Sequence, residues 1–405
     1  MGGAVVRRRY LELVPLAEAR ERFLKACGKL GVLAPREEEV HARNALGRVA
    51  SREVRARIPS PPAPCAAMDG YAVRSADTFG AKPSAPRFLG EGSFLPVDTG
   101  NPVPSPFDAV VPVEEVEGAP GGIEVRRAVA PGQHVRAAGE DFPEGATLVL
   151  PGGTFTPEAI AACIATGNPR VWVKRKLRLL FIPTGSELLP PDAPLQPGKV
   201  HETNSIVFQA HVERWGGEAE IHPIVPDEPG LLERALKEAL EADYDLICIC
   251  AGSSKGRGDH TPGLLSRMGE LLFHGVAMAP GKPTLCGIVG ERPVLGLPGY
   301  PVSLWVSMRQ FLKPLFEEYY GLPLEREGKV AGVLKRRVHS PLGTREFVRV
   351  RLEETEEGTS VIPLPGGSSR LSTLLFADGI LEVPEEVEFI PRGARVEVEL
   401  IPRGR

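Results

Sequence analysis

The sequence predicts a multidomain protein of the α/β plus β class: a three-layer α/β domain, a small β domain, a helical linking region and a C-terminal domain resembling a β-barrel. Three observations predict it. The chain has 405 residues, too many for one ordinary core. Between residues 177 and 320 continuous apolar runs alternate with amphipathic helical stretches, which implies an open, mostly parallel sheet with helices on its faces. On either side, short apolar runs alternate with turn residues, as in small β domains. The 45 glycines and 41 prolines make up about a fifth of the chain, against an average nearer 12%. They follow no period, so they mark turns and shaped loops rather than collagen.

In chain order, Leu16, Ala19, Phe23 and Cys27 recur at helical spacing, which predicts a helix over 14–30. A second helix is expected over 36–47. Short strands follow at 71–73, 109–113, 123–125 and 147–150. Thr156-Pro157-Glu158 then opens a helix with a capping hydroxyl, a proline at the first position and an acid in the first turn. In the α/β stretch, strands are expected at 177–182, 245–250 and 294–297. Asn204 is expected to cap a helix carrying Val207, Ala210 and Trp215. Leu232, Ala235, Leu236, Ala239 and Leu240 form another helical stripe, and a long helix starts at Pro301 and runs through Tyr319. Further strands are expected at 347–352, 360–364, 380–383 and 395–401. The expected division is 14–56 with 143–176 as a linking region, 57–142 as the small β domain, 177–322 as the α/β domain (with 1–13 a candidate addition) and 323–405 as the C-terminal β domain.

Composition excludes several functions. Hydrophobic residues are 42%, charged residues 25% and the formal net charge is −4, so neither wholesale disorder nor general nucleic-acid binding is expected. No run of about 18 apolar residues is present, so no spanning helix is expected. The N-terminal MGGAVVRRRY lacks the apolar stretch of a secretory signal, and a cytoplasmic location is expected. The six cysteines form no CxxC pair and the eight histidines no HExxH pattern. Zinc sites and disulfides are therefore disfavoured, and buried reduced thiols are expected.

Three glycine-bearing loops leave the three α/β strands: 183–187, 251–259 and 297–301. All three would lie on one sheet edge, where such folds bind ligands. Their glycines let backbone N–H groups approach an anion, and the helix start at Pro301 adds partial positive charge. Glu187 and Asp259 flank them. Each loop alone reads more readily as a turn; three in register are more specific. Neither GxxxxGK[ST] nor a strand-bound GxGxxG is present, so P-loop and Rossmann dinucleotide sites are disfavoured. Ala279-Pro280-Gly281-Lys282-Pro283 holds Lys282 between prolines, which restrict the backbone. Met68-Asp69-Gly70-Tyr71, Asp98-Thr99-Gly100 and Gly139-Glu140-Asp141 place acids beside turns, where a plain turn is the more ordinary reading.

Together these segments resemble the molybdopterin molybdotransferase family of bacterial MoeA and the E domains of gephyrin and its plant counterparts. The matching stretches are 68–73, 99–104, 108–111, 139–141, 184–188, 252–259, 280–283, 297–301 and 368–371, in the family's order over nearly the whole chain. The resemblance implies insertion of molybdate (or tungstate, which the sequence does not distinguish) into adenylylated molybdopterin with release of AMP. It implies Mg2+, held by Glu187, Asp227 and Asp259. It assigns Asp69, Thr99, Asp141, Glu187, Asp227, Asp259 and Lys282 to catalysis. Gly185, Gly252, Ser254, Gly256, Pro283, Pro298, Gly299, Pro301, Arg349 and Ser369 are assigned to substrate and cofactor binding, with Lys282, Ser254, Arg349 and Ser369 on the oxyanion.

The resemblance also implies a homodimer whose site is shared, with Asp69 and Glu187 from different chains, and contacts with molybdopterin adenylyltransferase and molybdoenzymes. The chain differs from the family pattern at Ser186, Ala251, Ala279 and Tyr300. Lys255 and Arg257 are candidates to replace the lost charge. A non-catalytic cofactor-binding scaffold or delivery protein of the same fold is the alternative. The α/β unit alone also resembles molybdopterin adenylyltransferases and CinA-type nucleotide enzymes.

Overall fold

A computed structural model of the chain describes residues 13–228, 230–251, 261–324, 328–356 and 358–401. The chain divides into two compact units, Met1–Pro35 with Arg175–Arg405, and Arg36–Lys174.

In the Arg36–Lys174 unit, the helix expected over 36–47 is instead a strand, Glu37–His41, paired antiparallel with Arg170–Lys174. Cross-strand charge favours it: Arg170 pairs with Glu39 at 2.7 Å and Arg48 with Glu38 at 2.6 Å. Only Ala42–Asn44 turns helically, as one 3-10 turn. The expected strands at 71–73, 109–113 and 123–125 are present as Gly70–Val73, Ala109–Pro112 and Gly122–Val125. Gly70–Val73 lies between Phe94–Val97 and Ala109–Pro112, and a second three-stranded sheet is centred on Gly122–Val125. Val73, Leu89, Val111, Ile123 and Val125 fill the space between them. A Cβ on Gly70 would stand 2.0 Å from the Val111 carbonyl oxygen, so the strand pairing beside Asp69 requires glycine. The Pro157–Ala165 helix begins as expected, with the Thr156 hydroxyl accepting from Ala159 N–H at 3.2 Å.

In the other unit, the helix Leu16–Lys29 buries Leu16, Ala19, Phe23 and Cys27. Its Phe23 meets Phe311 edge-on at 5.8 Å. The central sheet has six strands in the order Glu218–Ile221, Arg178–Pro183, Leu246–Ala251, Arg292–Pro298, Leu285–Val289, Gly269–His274. The first four are parallel; Leu285–Val289 runs antiparallel to both its neighbours, so Gly269–His274 shares the direction of the first four. Leu180, Ile182, Ile247, Ile249 and Val294 pack against Leu236 and Leu264 from the helices.

Asn204 does not cap its helix: Thr203 precedes Asn204–Arg214 without a side-chain cap. The buried stripe is Ser205, Phe208, Val212 and Trp215, while Ala210 is exposed. The long helix from Pro301 is interrupted by a π turn at Met308–Leu312 before Lys313–Tyr320. Pro314 has no N–H to donate one turn back, and the Gln310 carbonyl accepts from Arg20 Nε at 3.0 Å instead.

The C-terminal part is a closed barrel of five strands, Arg345–Thr355, Gly358–Pro363, Lys329–Leu334, Arg395–Leu400 and Gly379–Val383, the last returning to the first. Leu334, Val350, Val361, Leu381 and Val398 fill it. Met278–Ala279 joins this sheet alongside Arg345 and Glu346, which binds the loop bearing Lys282 to the barrel. All six cysteines are free and buried. Among the described residues no helix is long and apolar enough to cross a membrane.

Candidate functional site

The parallel strands Arg178–Pro183, Leu246–Ala251 and Arg292–Pro298 end side by side, and a cavity of about 970 Å³ opens at that edge. The barrel supplies its other wall. Glu187, Lys282, Pro283, Pro298, Gly299, Pro301, Arg349 and Ser369 all line it. The structure therefore brings these expected residues together from five separate stretches of chain.

Glu187 follows a backbone that only glycine accommodates well. Gly185 has φ +149°, and a Cβ there would stand 2.8 Å from either carboxylate oxygen of Glu187. The neighbouring Ser186 and Asp227 are locked together: Ser186 N–H donates to Asp227 Oδ2 at 3.0 Å, and Asp227 N–H donates to the Ser186 hydroxyl at 2.8 Å. Lys199 donates to the Ser186 carbonyl. Serine at 186 thus fixes Asp227 against the turn that precedes Glu187. Asp227 and Gly185 do not themselves line the cavity.

Lys282 stands on a stiff turn. Gly281 has φ +120°, and a Cβ there would meet Met278 Cε at 2.5 Å. The Gly281 carbonyl accepts from Thr284 N–H at 3.0 Å and from its hydroxyl at 2.7 Å, and that hydroxyl is 2.7 Å from the Ser307 hydroxyl. The backbone is fixed while the lysine side chain is exposed.

The Gly299 loop is held by Asn204, whose side-chain N–H donates to the Gly299 carbonyl at 2.8 Å. Val302 N–H, in the first turn of the Pro301 helix, donates to the Ser368 carbonyl at 3.0 Å. That N–H joins the barrel loop carrying Ser369 to the helix and is not open to a ligand. Arg349 is only 6% exposed. Its guanidinium donates to three neutral oxygens: Thr373 Oγ1 at 3.3 Å, the Phe347 carbonyl at 3.1 Å and the Gly366 carbonyl at 2.8 Å. Burial lowers its pKa.

Asp69, Thr99 and Asp141 lie in the Arg36–Lys174 unit. Thr99 N–H and its hydroxyl both donate to Asp69 Oδ1, at 2.7 and 2.8 Å. The N–H first, and then the hydroxyl, hold the Asp69 carboxyl below its ordinary range. Asp141 is exposed and its N–H donates to the Ser60 carbonyl at 3.0 Å. Gly252, Ser254, Gly256 and Asp259, with Lys255 and Arg257, lie outside the described residues.

The sequence reading gives no site role to Asn204 or Glu346, which both line the cavity. Asn204 was assigned to a helix cap, and its cross-loop bond has no local signature. Glu346 lines the cavity because Ala279 pairs with it, a contact no short motif reveals.

The fold and this edge define a multidomain protein built around a molybdopterin-binding type of α/β domain. The description MoeA N-terminal region (domain I and II) matches residues 14–167, probable molybdopterin binding domain matches 180–318, and MoeA C-terminal region (domain IV) matches 331–401. Molybdopterin molybdenumtransferase 2 of Mycobacterium tuberculosis is 34% identical over 376 residues, covering 87% of this chain and 92% of that protein. The molybdopterin molybdenumtransferase of Synechococcus elongatus is 32% identical, covering 82% and 86%. A crystal structure of a molybdopterin biosynthesis MoeA protein from Pyrococcus horikoshii superposes with a TM-score of 0.76 at 32% identity, covering 96% of this chain and 99% of that one. The chain belongs to the MoeA family.

Proposed function

We propose that this chain is a transferase of molybdenum cofactor biosynthesis that inserts molybdate, or tungstate, into adenylylated molybdopterin and releases AMP. One observation carries the reading: Lys282, Arg349, Ser369 and Glu187 meet around a single cavity at the strand ends. Its volume suits a ligand of nucleotide or pterin size. Lys282 on its stiff turn, with Arg349 and Ser369 from the barrel, would hold the tetrahedral dianion. Glu187 and Asp227 would hold a magnesium ion: both are hard oxygen donors, and Asp227 is tied by two hydrogen bonds to Ser186, the residue before Glu187; Asp259 would complete the set. A magnesium ion there would supply charge neutralisation on the phosphoanhydride oxygens. The chain's own residues do the rest: the Ser186–Asp227 lock orients the acids, and the Gly281 turn holds the lysine in place.

In this reading 57–142 brings Asp69, Thr99 and Asp141 to the site of a second copy in a homodimer. Residues 14–56 and 143–176 link it to the α/β domain (177–322) and the barrel (323–405). A cytoplasmic setting, with hand-over from a molybdopterin adenylyltransferase and on to molybdoenzymes, follows from the same reading. Incubation of the protein with adenylylated molybdopterin, molybdate and magnesium tests it. AMP release dependent on molybdate is expected; binding without any AMP release would favour a cofactor scaffold.

A further inference from the structure

Glu346 lines the cavity as a charged residue with no part in that reading. It lines the wall beside Arg349, and Ala279, its partner in strand register, offers no charge. Its Oε2 has no solvent exposure and no hydrogen-bond partner. Burial raises the pKa of its carboxyl, opposed by Ser340 and by the Arg349 charge. The other titratable groups facing the cavity are Lys282, Glu187, His201, Glu202 and Tyr300. Several are already engaged: Glu202 accepts from Ser205 N–H and hydroxyl, and His201 Nε2 bonds the Ala193 carbonyl at 2.8 Å. On the same strand Arg345 is turned to Glu385 and Glu382 at 2.7 and 3.0 Å.

A tetrahedral oxyanion carries only acceptors, and so does an ionised carboxylate. The two can share a hydrogen bond only if the carboxyl carries a proton. An incoming dianion opposes ionisation of a nearby carboxyl, so binding itself draws the proton in. We propose that Glu346, protonated, donates a hydrogen bond to the bound oxyanion, so that the dianion and one proton from solvent enter the cavity together. The proposal rests on the reading of this cavity as the oxyanion site, and it adds to that reading a neutral donor and a proton linkage.

Isothermal titration of molybdate into the full chain, in two buffers of different ionisation enthalpy between about pH 6 and pH 8, tests it. The native protein should take up a fraction of a proton per molybdate, and its affinity should fall as pH rises. Glu346→Gln keeps a neutral donor, so it should bind molybdate about as tightly with the Glu346 uptake gone. Glu346→Ala should lose affinity about tenfold or more, the worth of a hydrogen bond to a charged group. Uptake that persists unchanged in Glu346→Gln would assign the proton to another group, such as His201, and overturn the proposal. Binding without proton uptake in the native protein would also overturn it while leaving the oxyanion site standing. Loss of precursor binding rather than molybdate binding in Glu346→Gln would mean that the ionised carboxylate receives a ring N–H instead. No molybdate binding at any pH would remove the parent reading as well.

Discussion

Two carboxyls in this molecule sit in opposite surroundings. Asp69, exposed in the Arg36–Lys174 unit, has two donors from Thr99 on one oxygen. Glu346, in the cavity wall of the other unit, has an oxygen with neither solvent nor partner. The first environment favours the charged form and the second the neutral one. Pairs of acids pushed apart in this way divide roles: one serves as a fixed negative acceptor, the other as a donor. Asp69 is thus suited to cations and polarised donors, and the Glu346 corner to an anion.

The largest effect that would break this comparison is loss of turnover on removing Asp69 or the cavity acid Glu187. Asp69→Ala and Glu187→Ala should each abolish AMP release. If a homodimer shares its sites, mixing and re-assembling the two inactive proteins should recover part of the activity, since some sites then receive both native acids. Mixed dimers that form, as shown by differential tagging, and yet stay inactive would place Asp69 outside the shared site.

Next in size is Lys282. Its turn has no slack, because Gly281 and Thr284 fix the backbone on which it stands. A neighbouring side chain cannot easily move in to replace it. Lys282→Ala should weaken molybdate binding about tenfold or more, in line with a charge-assisted hydrogen bond, and Ala279→Lys in that background should restore part of it. Equilibrium titration of molybdate gives both values; an unchanged affinity in Lys282→Ala would move the oxyanion elsewhere.

These sites were unequally legible in the sequence. The strands Arg178–Pro183, Leu246–Ala251 and Arg292–Pro298 are buried on both faces, so each reads as an unbroken apolar run. The Glu37–His41 strand hides because its pairing depends on distant arginines, Arg170 and Arg48, while its local pattern suits a helix. At the cavity, Glu187 and Lys282 are legible from their own loops, and Arg349 and Ser369 only through the family resemblance. Glu346 is not, since its place depends on Met278–Ala279 joining a barrel more than sixty residues onward. The Ser186–Asp227 lock was likewise invisible: each residue is ordinary alone, and only the bridge between Thr184 and Val225 sets them together.

A smaller effect sharpens the Asp69 side. Its pKa is held down by Thr99, so the carboxylate persists as pH falls and protonates only at a more acid pH than an ordinary aspartate. Thr99→Val removes the hydroxyl but keeps the N–H, which is the larger cause. The pKa should then rise part of the way, and the acid limb of the kcat/KM profile should shift to higher pH with the plateau retained. An acid limb that stays in place would show that another group sets it.

The smallest effect concerns the stability of the fold around Glu346. Its folded pKa is raised above the unfolded value, so between the two values the native state binds more protons than the unfolded chain. Stability therefore falls as pH rises through that window, the opposite of a salt-bridged carboxylate. Below the unfolded pKa both states are protonated and the penalty vanishes. Glu346→Gln has no charge to desolvate and should not show this fall. Its melting temperature should match the native protein near pH 4 and exceed it slightly at pH 7, without any ligand present. Because the side chain is only half-buried, solvent screens much of the cost, and a shift of about 1–2 °C is the scale to expect for a chain of this size. Melting curves of the two proteins that stay parallel across this range would show that Glu346 feels no burial penalty when free, and the proton linkage would then have to arise from the anion alone.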